Sequence, residues 1–120
     1  MKIYVVTHKP VDLQFLALDK CYSVIRVGQY SREKNGLLSD AEGKNIADKN
    51  PNYCELTAQY WAWKNDTTSE VIGLCHYRRY FTTHALSVNP KYFLKEKDIE
   101  SFLKSNDAIV PYNQSYCVGA

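Results

Sequence analysis

Several common signatures are absent from this sequence of 120 residues. Its five glycines are scattered, and no G-x-G-x-x-G or G-x-x-x-x-G-K loop occurs, which excludes a Rossmann-type cofactor site and a P-loop. No Asp-x-Asp motif is present, the arrangement of hard oxygen ligands that often holds a divalent cation. No serine sits in a nucleophile elbow, so the sequence gives no support to a nucleophilic hydrolase.

An excess of one charge sign is also missing. The 15 basic and 13 acidic residues leave a formal net charge of +2, which is too balanced to predict nucleic acid or an anionic membrane as the main partner. No run of about 18 apolar residues occurs, so we expect neither a signal peptide nor a transmembrane segment. These features predict a cytoplasmic protein. An anion site would have to be formed by a local cluster of basic residues and not by the charge of the whole chain.

The four cysteines form no C-x-x-C pair, which argues against a zinc site and a disulfide framework. They are Cys21, Cys54, Cys75 and Cys117. Their apolar surroundings predict buried free thiols. With 45% hydrophobic residues the chain can form one core, so residues 1–120 are interpreted as a single domain.

Short runs of β-branched and apolar residues predict strands. They are Lys2–Thr7, Tyr22–Gly28, Val71–Cys75 and Ala108–Pro111. The run at Val71–Cys75 is apolar throughout rather than alternating, which is typical of a central strand covered on both faces.

Helices are predicted between these strands. A short one is expected from Val11 to Lys20, and an amphipathic one from Glu96 to Ser105 with Ile99, Phe102 and Leu103 inward. The clearest should begin at Asn50-Pro51-Asn52 and reach Lys64, mostly buried, with Asn52 and Glu55 spaced as a capping box.

The order of these elements favours an α/β fold in which a mostly parallel central sheet carries helices on both faces. Ligands of such folds bind beyond the carboxyl ends of the strands. The polar stretch from Gly28 to about Asn50 is predicted to be a long loop, and within it Asp40 and Glu42 are interpreted as a solvated acidic turn.

The segment His76-Tyr77-Arg78-Arg79-Tyr80-Phe81 follows the third strand and is the sharpest functional signal. It places two guanidinium groups and an imidazole among three aromatic rings, with no acidic residue from Val71 through Ser87. Arginine binds phosphate bidentately, and aromatic faces accept a base or a sugar ring, so the composition suits a nucleoside diphosphate-sugar. The alternative is that the arginines pair with carboxylates while the rings pack.

Three further residues are candidates because of where they lie. Thr7 and His8 end the first strand, where an α/β fold places a nucleotide, although an ordinary strand-end turn explains them equally well. Glu55 lies on an otherwise aromatic and apolar helix, so it either caps that helix, pairs with Arg78 or Arg79, or takes part in catalysis.

Two long motifs resemble one known family. They are NIADKNPNYCELTAQYWAWKN at residues 45–65 and IGLCHYRRYF at residues 72–81, and residues 3–9 are similar as well. Together they resemble the domain of unknown function 4422, whose members are grouped with GT-A-fold glycosyltransferases of capsular or exopolysaccharide biosynthesis, some assigned as galactofuranosyltransferases. Family domains are roughly twice as long, so the chain is expected to be an amino-terminal half.

The resemblance implies that the chain transfers a sugar from a nucleoside-diphosphate donor, such as a UDP-sugar, to a growing lipid-linked glycan at the inner membrane face. It implies a donor site built from Thr7, His8, Asn45, Lys49, Asn50, Glu55, His76, Tyr77, Arg78 and Arg79. No catalytic base is assigned. Either ligands for Mn²⁺ or Mg²⁺ lie beyond residue 120, or the two arginines replace the metal.

Two other classes of function compete with a transferase. A truncated, non-catalytic module could bind the sugar nucleotide or a partner without turnover. A nucleic-acid module could use the aromatic and basic run for stacking, but the near-neutral net charge counts against it.

Overall fold

A parallel four-stranded sheet forms the centre of the molecule. The computed structural model describes residues 1–12, 19–83 and 89–111. Its strands are β1 (Lys2–Thr7), β2 (Tyr22–Arg26), β3 (Leu38–Ser39) and β4 (Ile72–His76). Their order across the sheet is β3-β2-β1-β4, and every pairing is parallel.

The apolar strands bury both faces of this sheet. Val5 pairs with Val24 on one side and with Cys75 on the other, which fixes the register of three strands. Because side chains alternate along a strand, Ile3 and Val5 enter one apolar cluster while Tyr4 and Val6 enter a second.

Helices cover the two faces, as the sequence predicts. They are α1 (Asn50–Tyr53), α2 (Leu56–Asn65) and α3 (Glu96–Leu103). Helix α2 packs on the Tyr4 face through Ala58 and Ala62, and α3 packs on the Val5 face through Ile99. The α/β fold with its parallel sheet between helices is therefore confirmed.

The stretch between β2 and α1 is more ordered than the predicted long loop. It contains a 3-10 helix at Gly28–Arg32, strand β3 and a second 3-10 helix at Ala47–Lys49. Asp40 follows β3 and is completely buried, so its interpretation as a solvated turn residue was wrong. The reason is that β3 inserts beside β2 and carries Asp40 under α2.

The helix predicted from Asn50 to Lys64 is two helices. Cys54 adopts φ 49° and ψ −128°, which separates α1 from α2, and no capping box joins Asn52 to Glu55. Helix α2 is also less buried than predicted, since Leu56 and Trp63 are exposed. Close packing on the sheet needs small side chains, so the alanines face inward, Trp61 packs beside them against Tyr4, and Trp63 faces outward.

Three other predictions need correction. Within the described part of the chain β4 ends the strand order instead of lying centrally. Helix α3 stops at Leu103, and Phe102 is 44% exposed, so only Ile99 and Leu103 pack inward. No strand forms at 108–111, because this segment pairs with none of the described strands. Ile109 packs on the core, and Val110 is 77% exposed.

The cysteine prediction holds only in part. Cys21 is buried and Cys75 is half-buried, but Cys54 is exposed because it lies at the turn between two helices. Cys117 and most of the helix predicted at Val11–Lys20 lie outside the described residues. In the ranges described, no helix has the length and apolar content needed to cross a bilayer.

Candidate functional site

The carboxyl ends of β1 and β4 meet at one edge of the sheet. Val6 pairs with His76, and the Tyr77 amide donates to the Val6 carbonyl at 3.0 Å. The His8 ring consequently lies 5.6 Å from the Tyr77 ring in an edge-on contact, and the His76 ring lies 4.3 Å from it. The fold thus brings together the two segments that the sequence singled out.

Two cations flank the Tyr77 ring. The Lys9 ammonium lies 5.5 Å from the ring centroid, and the Arg78 guanidinium carbon lies 5.4 Å from it. Both contacts are in the range of cation–π attraction. Lys9 was not predicted as a site residue, although its place directly after Thr7 and His8 was a usable signal. We call His8, Lys9, His76, Tyr77 and Arg78 the cationic edge.

Thr7 shapes the turn that carries this edge. Its buried hydroxyl donates to the Lys9 carbonyl at 2.5 Å and accepts from the Lys9 amide at 3.3 Å. These two bonds fold the chain back immediately after β1. Thr7 therefore positions His8 and Lys9, and its hydroxyl is already engaged.

His76 is held as a neutral imidazole. Burial lowers its pKa below the usual 6.5, and the nearby charges of Arg78, His8 and Arg79 lower it further, against the opposing effect of Glu55. Its Nδ1 accepts the Arg78 amide hydrogen at 3.3 Å. The neutral ring therefore carries its proton on Nε2, which leaves that N–H as a hydrogen-bond donor.

The two arginines occupy a tight turn after β4. The Arg79 amide donates to the His76 carbonyl at 2.7 Å, which closes the turn and projects Arg78 from its tip. Both side chains are exposed. Among the residues described neither guanidinium is held in an ion pair, so the alternative of carboxylate-paired arginines gains no support.

A second group of residues lies at the carboxyl ends of β2 and β3. Asn50 donates from Nδ2 to the Cys54 carbonyl at 2.8 Å and to Thr57 Oγ1 at 3.0 Å. Its Oδ1 lies 3.2 Å from where a β-carbon on Gly28 would stand. Thr57 Oγ1 in turn lies 2.5 Å from Asp40 Oδ2. Asn50 is thus at the sheet edge, with a structural role there.

The remaining predicted site residues are placed differently from one another. Glu55 and Lys49 are exposed, and the charge of Glu55 reaches His76. Asn45 bonds to the Ala41 and Gly43 carbonyls, next to the Lys44–Asn65 pair. Asn65 ends α2, about 12 Å along the helix from Thr57, and the place of Asn45 in the donor site stays a prediction.

Neither a metal site nor the groove between β4 and α3 offers an alternative anion site in the described residues. In residues 1–12, 19–83 and 89–111, no group of three or more His, Cys, Asp or Glu side chains could hold a metal ion. A groove of about 320 Å³ runs between β4 and α3, but apolar side chains together with Glu70 and Asp107 line it. Such a lining does not suit an anion, whereas the cationic edge carries charges that can bind a phosphate.

Comparison with known proteins agrees with this fold. Residues 2–119 match the family model described as Domain of unknown function (DUF4422). The chain is also similar to a solved structure titled "WbbM bifunctional glycosytransferase apo structure", at 30% sequence identity and a TM-score of 0.67. The alignment covers 87% of this chain but 21% of that protein, so the chain spans about a fifth of its length. No curated protein matches the chain.

Proposed function

Because the chain belongs to the DUF4422 family, we propose that it is the donor-binding part of a glycosyltransferase. The donor is a nucleoside diphosphate-sugar, with UDP-sugars and UDP-galactofuranose as the first candidates. The acceptor is a growing capsular or exopolysaccharide glycan on a lipid carrier, at the cytoplasmic face of the inner membrane. The observation that carries this proposal is the cationic edge beyond the carboxyl ends of β1 and β4.

The charges of this edge suit a diphosphate. Arg78 offers a planar fork that can bind two phosphate oxygens, and Lys9 offers a compact point charge beside the same Tyr77 ring. Arg79, exposed in the same turn, adds a third cation. His76 Nε2–H can donate to a phosphate oxygen without adding charge. When the sugar leaves, negative charge grows on the diphosphate, and fixed donors aimed at it lower the barrier.

Aromatic surface lies beside these charges. Tyr77 and His8 meet edge-on where the turns after β4 and β1 come together, and rings of this kind pack against the apolar face of a base or sugar. We therefore place the nucleoside or the sugar against Tyr77 and the diphosphate between Lys9 and Arg78. The proposal assigns no catalytic base and leaves Asn45, Lys49, Asn50 and Glu55 as predicted donor-site residues.

Substitution of the cations tests the proposal. We expect Arg78→Ala and Lys9→Ala each to weaken UDP binding by about tenfold or more, the worth of one hydrogen bond to a charged group. Arg79→Ala should weaken it as well. Lys97→Ala is the matched control, since Lys97 is exposed on α3, whose first turn is bonded to Asp19 ahead of β2. Calorimetry measures the affinities, and circular dichroism checks the fold.

Unchanged UDP affinity in the Arg78 and Arg79 variants would contradict the proposal. A turnover assay separates it from the second hypothesis of a non-catalytic binding module. Sugar transfer or donor hydrolysis by the purified chain excludes that module. Binding of UDP without turnover supports it.

A further inference from the structure

A buried polar network holds the break between α1 and α2. Asp40 and Thr57 are both completely buried, and Thr57 links Asp40 to Asn50. We infer that Asp40 is a positioning residue: through Thr57 and Asn50 it fixes the elbow formed by Cys54 and Glu55. This inference rests on the proposed function, because the elbow borders the proposed donor site.

The elbow has a backbone geometry that requires support. Cys54 combines φ 49° with ψ −128°, a region that residues with a side chain rarely adopt. Its carbonyl accepts from Asn50 Nδ2 at 2.8 Å, from the Thr57 hydroxyl at 3.0 Å and from the Thr57 amide at 3.2 Å. Strained conformations of this kind persist only where surrounding contacts hold them.

The number of available hydrogens shows what Asp40 contributes. The single hydroxyl proton of Thr57 has two acceptors in reach, Asp40 Oδ2 at 2.5 Å and the Cys54 carbonyl at 3.0 Å. When Asp40 is neutral, its own proton goes to Thr57 Oγ1, and the Thr57 proton is left for Cys54. A neutral Asp40 thus completes a chain of donors that ends on the strained carbonyl.

The surroundings of Asp40 favour that neutral form. Within the described ranges no donor reaches its buried Oδ1, and an unpartnered charged oxygen is costly to bury. Ser31 lies nearby, but its hydroxyl donates to the Gly28 carbonyl at 2.6 Å. Burial raises the pKa of Asp40, against the opposing effect of the Thr57 and Ser31 hydroxyls.

The network reaches the proposed site through Glu55. Glu55 is exposed directly after Cys54, and its charge acts on His76 in the cationic edge. Asn50 also lies against Gly28 at the end of β2. A shift of the elbow would therefore move both a carboxylate that faces the edge and the segment that adjoins β2.

Paired variants of the full chain test this role. Thr57→Val and Asp40→Leu remove the network, whereas Thr57→Ser keeps the hydroxyl and Asp40→Asn keeps a donor toward Thr57. We measure UDP affinity by calorimetry and the alkylation rate of Cys54 by iodoacetamide with peptide mass spectrometry. The thiol is exposed at the elbow, so its rate reports elbow geometry without any ligand.

We expect Thr57→Val and Asp40→Leu to change both readouts by roughly three- to tenfold, the size of one net hydrogen bond. Thr57→Ser and Asp40→Asn should stay within about twofold of the unmodified chain. Should Asp40→Leu fail to fold, the Thr57 pair still decides the question.

Lowered thermal stability with both readouts unchanged would overturn the positioning role, because Asp40 would then be merely structural. Equal losses in Asp40→Asn and Asp40→Leu would overturn the neutral-donor arrangement. If the unmodified chain does not bind UDP, the proposed function fails. The alkylation rates of the Thr57 pair then still uphold or reject the role of the network at the elbow.

Discussion

Helices α2 and α3 cover opposite faces of one sheet, yet their amino ends are built differently. At α3 the Lys95 amide donates to Asp98 Oδ2 at 2.9 Å and the Glu96 amide donates to Asp19 Oδ2 at 3.0 Å. At α2 the buried Asp40–Thr57–Asn50 network supports a strained Cys54. One end is an ordinary helix start, and the other combines strain with buried polar groups.

The position of each end in the fold explains the difference. Asp19 precedes β2, so α3 begins near the amino ends of the strands, where an α/β sheet does not bind ligands. Helix α2 begins beside Gly28 and Asp40, at the carboxyl ends of strands β2 and β3. Strained backbone and buried polar groups reduce stability, and proteins keep them mainly at functional sites, so we expect α3 to govern stability and the start of α2 to govern binding.

The largest expected effect is on stability, from the α3 side. Ile99→Ala should lower the free energy of unfolding by about 2–5 kcal/mol, because Ile99 is buried against β1 and β2 and truncation leaves a cavity. Urea denaturation measures the loss, with Glu100→Ala as an exposed control on the same helix. UDP affinity of the folded variant should stay within about twofold. A large loss of affinity would break the division between the two helices.

An intermediate effect is expected from Gly28→Ala. Gly28 has φ +65°, so any other residue costs about 1–2 kcal/mol there, and the added β-carbon would press on Asn50 Oδ1. Both stability and UDP binding should fall. Gly36→Ala is the matched control, since Gly36 has φ +81° but nothing within 4 Å of the added carbon. Equal effects of the two substitutions on UDP affinity would show that Asn50 contact is irrelevant.

The smallest effects concern Asp19 and Asp40, two carboxyl groups whose pKa values the fold shifts in opposite directions. Burial raises the pKa of Asp19, but amide donors from Cys21 and Glu96 outweigh it and leave the pKa below 3.8. Asp19 therefore stabilises the fold above about pH 4, and that contribution is lost as the pH falls. The pKa of Asp40 is raised, so the fold loses stability as the pH rises above about 4, the ordinary pKa of an aspartate, toward this raised pKa.

Denaturation at several pH values checks these signs. Asp19→Asn should lower stability at pH 7 by less than about 1 kcal/mol, since water screens this carboxylate, and the deficit should shrink toward pH 3. Asp40→Asn should gain stability relative to the unmodified chain as the pH rises from 3 to 7. The same trend in both variants would contradict the proposed difference between the two helix starts.

Strands β1 and β4, whose carboxyl ends carry the cationic edge, could be predicted directly from the sequence. The runs before His8 and before Tyr77 are mostly apolar, and such runs become parallel strands with their carboxyl ends together, although only the first is largely buried. The juxtaposition of Thr7-His8 with His76-Tyr77 was therefore predictable. The amphipathic pattern around Ile99 likewise predicted α3.

The start of α2 could not be predicted in the same way. Strand β3 has two residues, too few for a periodic pattern, so nothing in the sequence marks Asp40 as buried. Cys54 takes a positive φ without being glycine, so the helix break has no local signal. Ala58 and Ala62 face the sheet while Trp63 is 68% exposed, which reverses the expected burial of large apolar residues.

A calorimetric titration of the unmodified chain with UDP and with uridine tests the central claim most directly. The titrations are run in EDTA and repeated with Mn²⁺. If the cationic edge binds the diphosphate, UDP binds saturably in EDTA and uridine binds at least about tenfold more weakly, because it lacks the phosphates that Lys9 and Arg78 would contact. Equal affinity for the two ligands, or no binding of UDP in either buffer, would contradict the account.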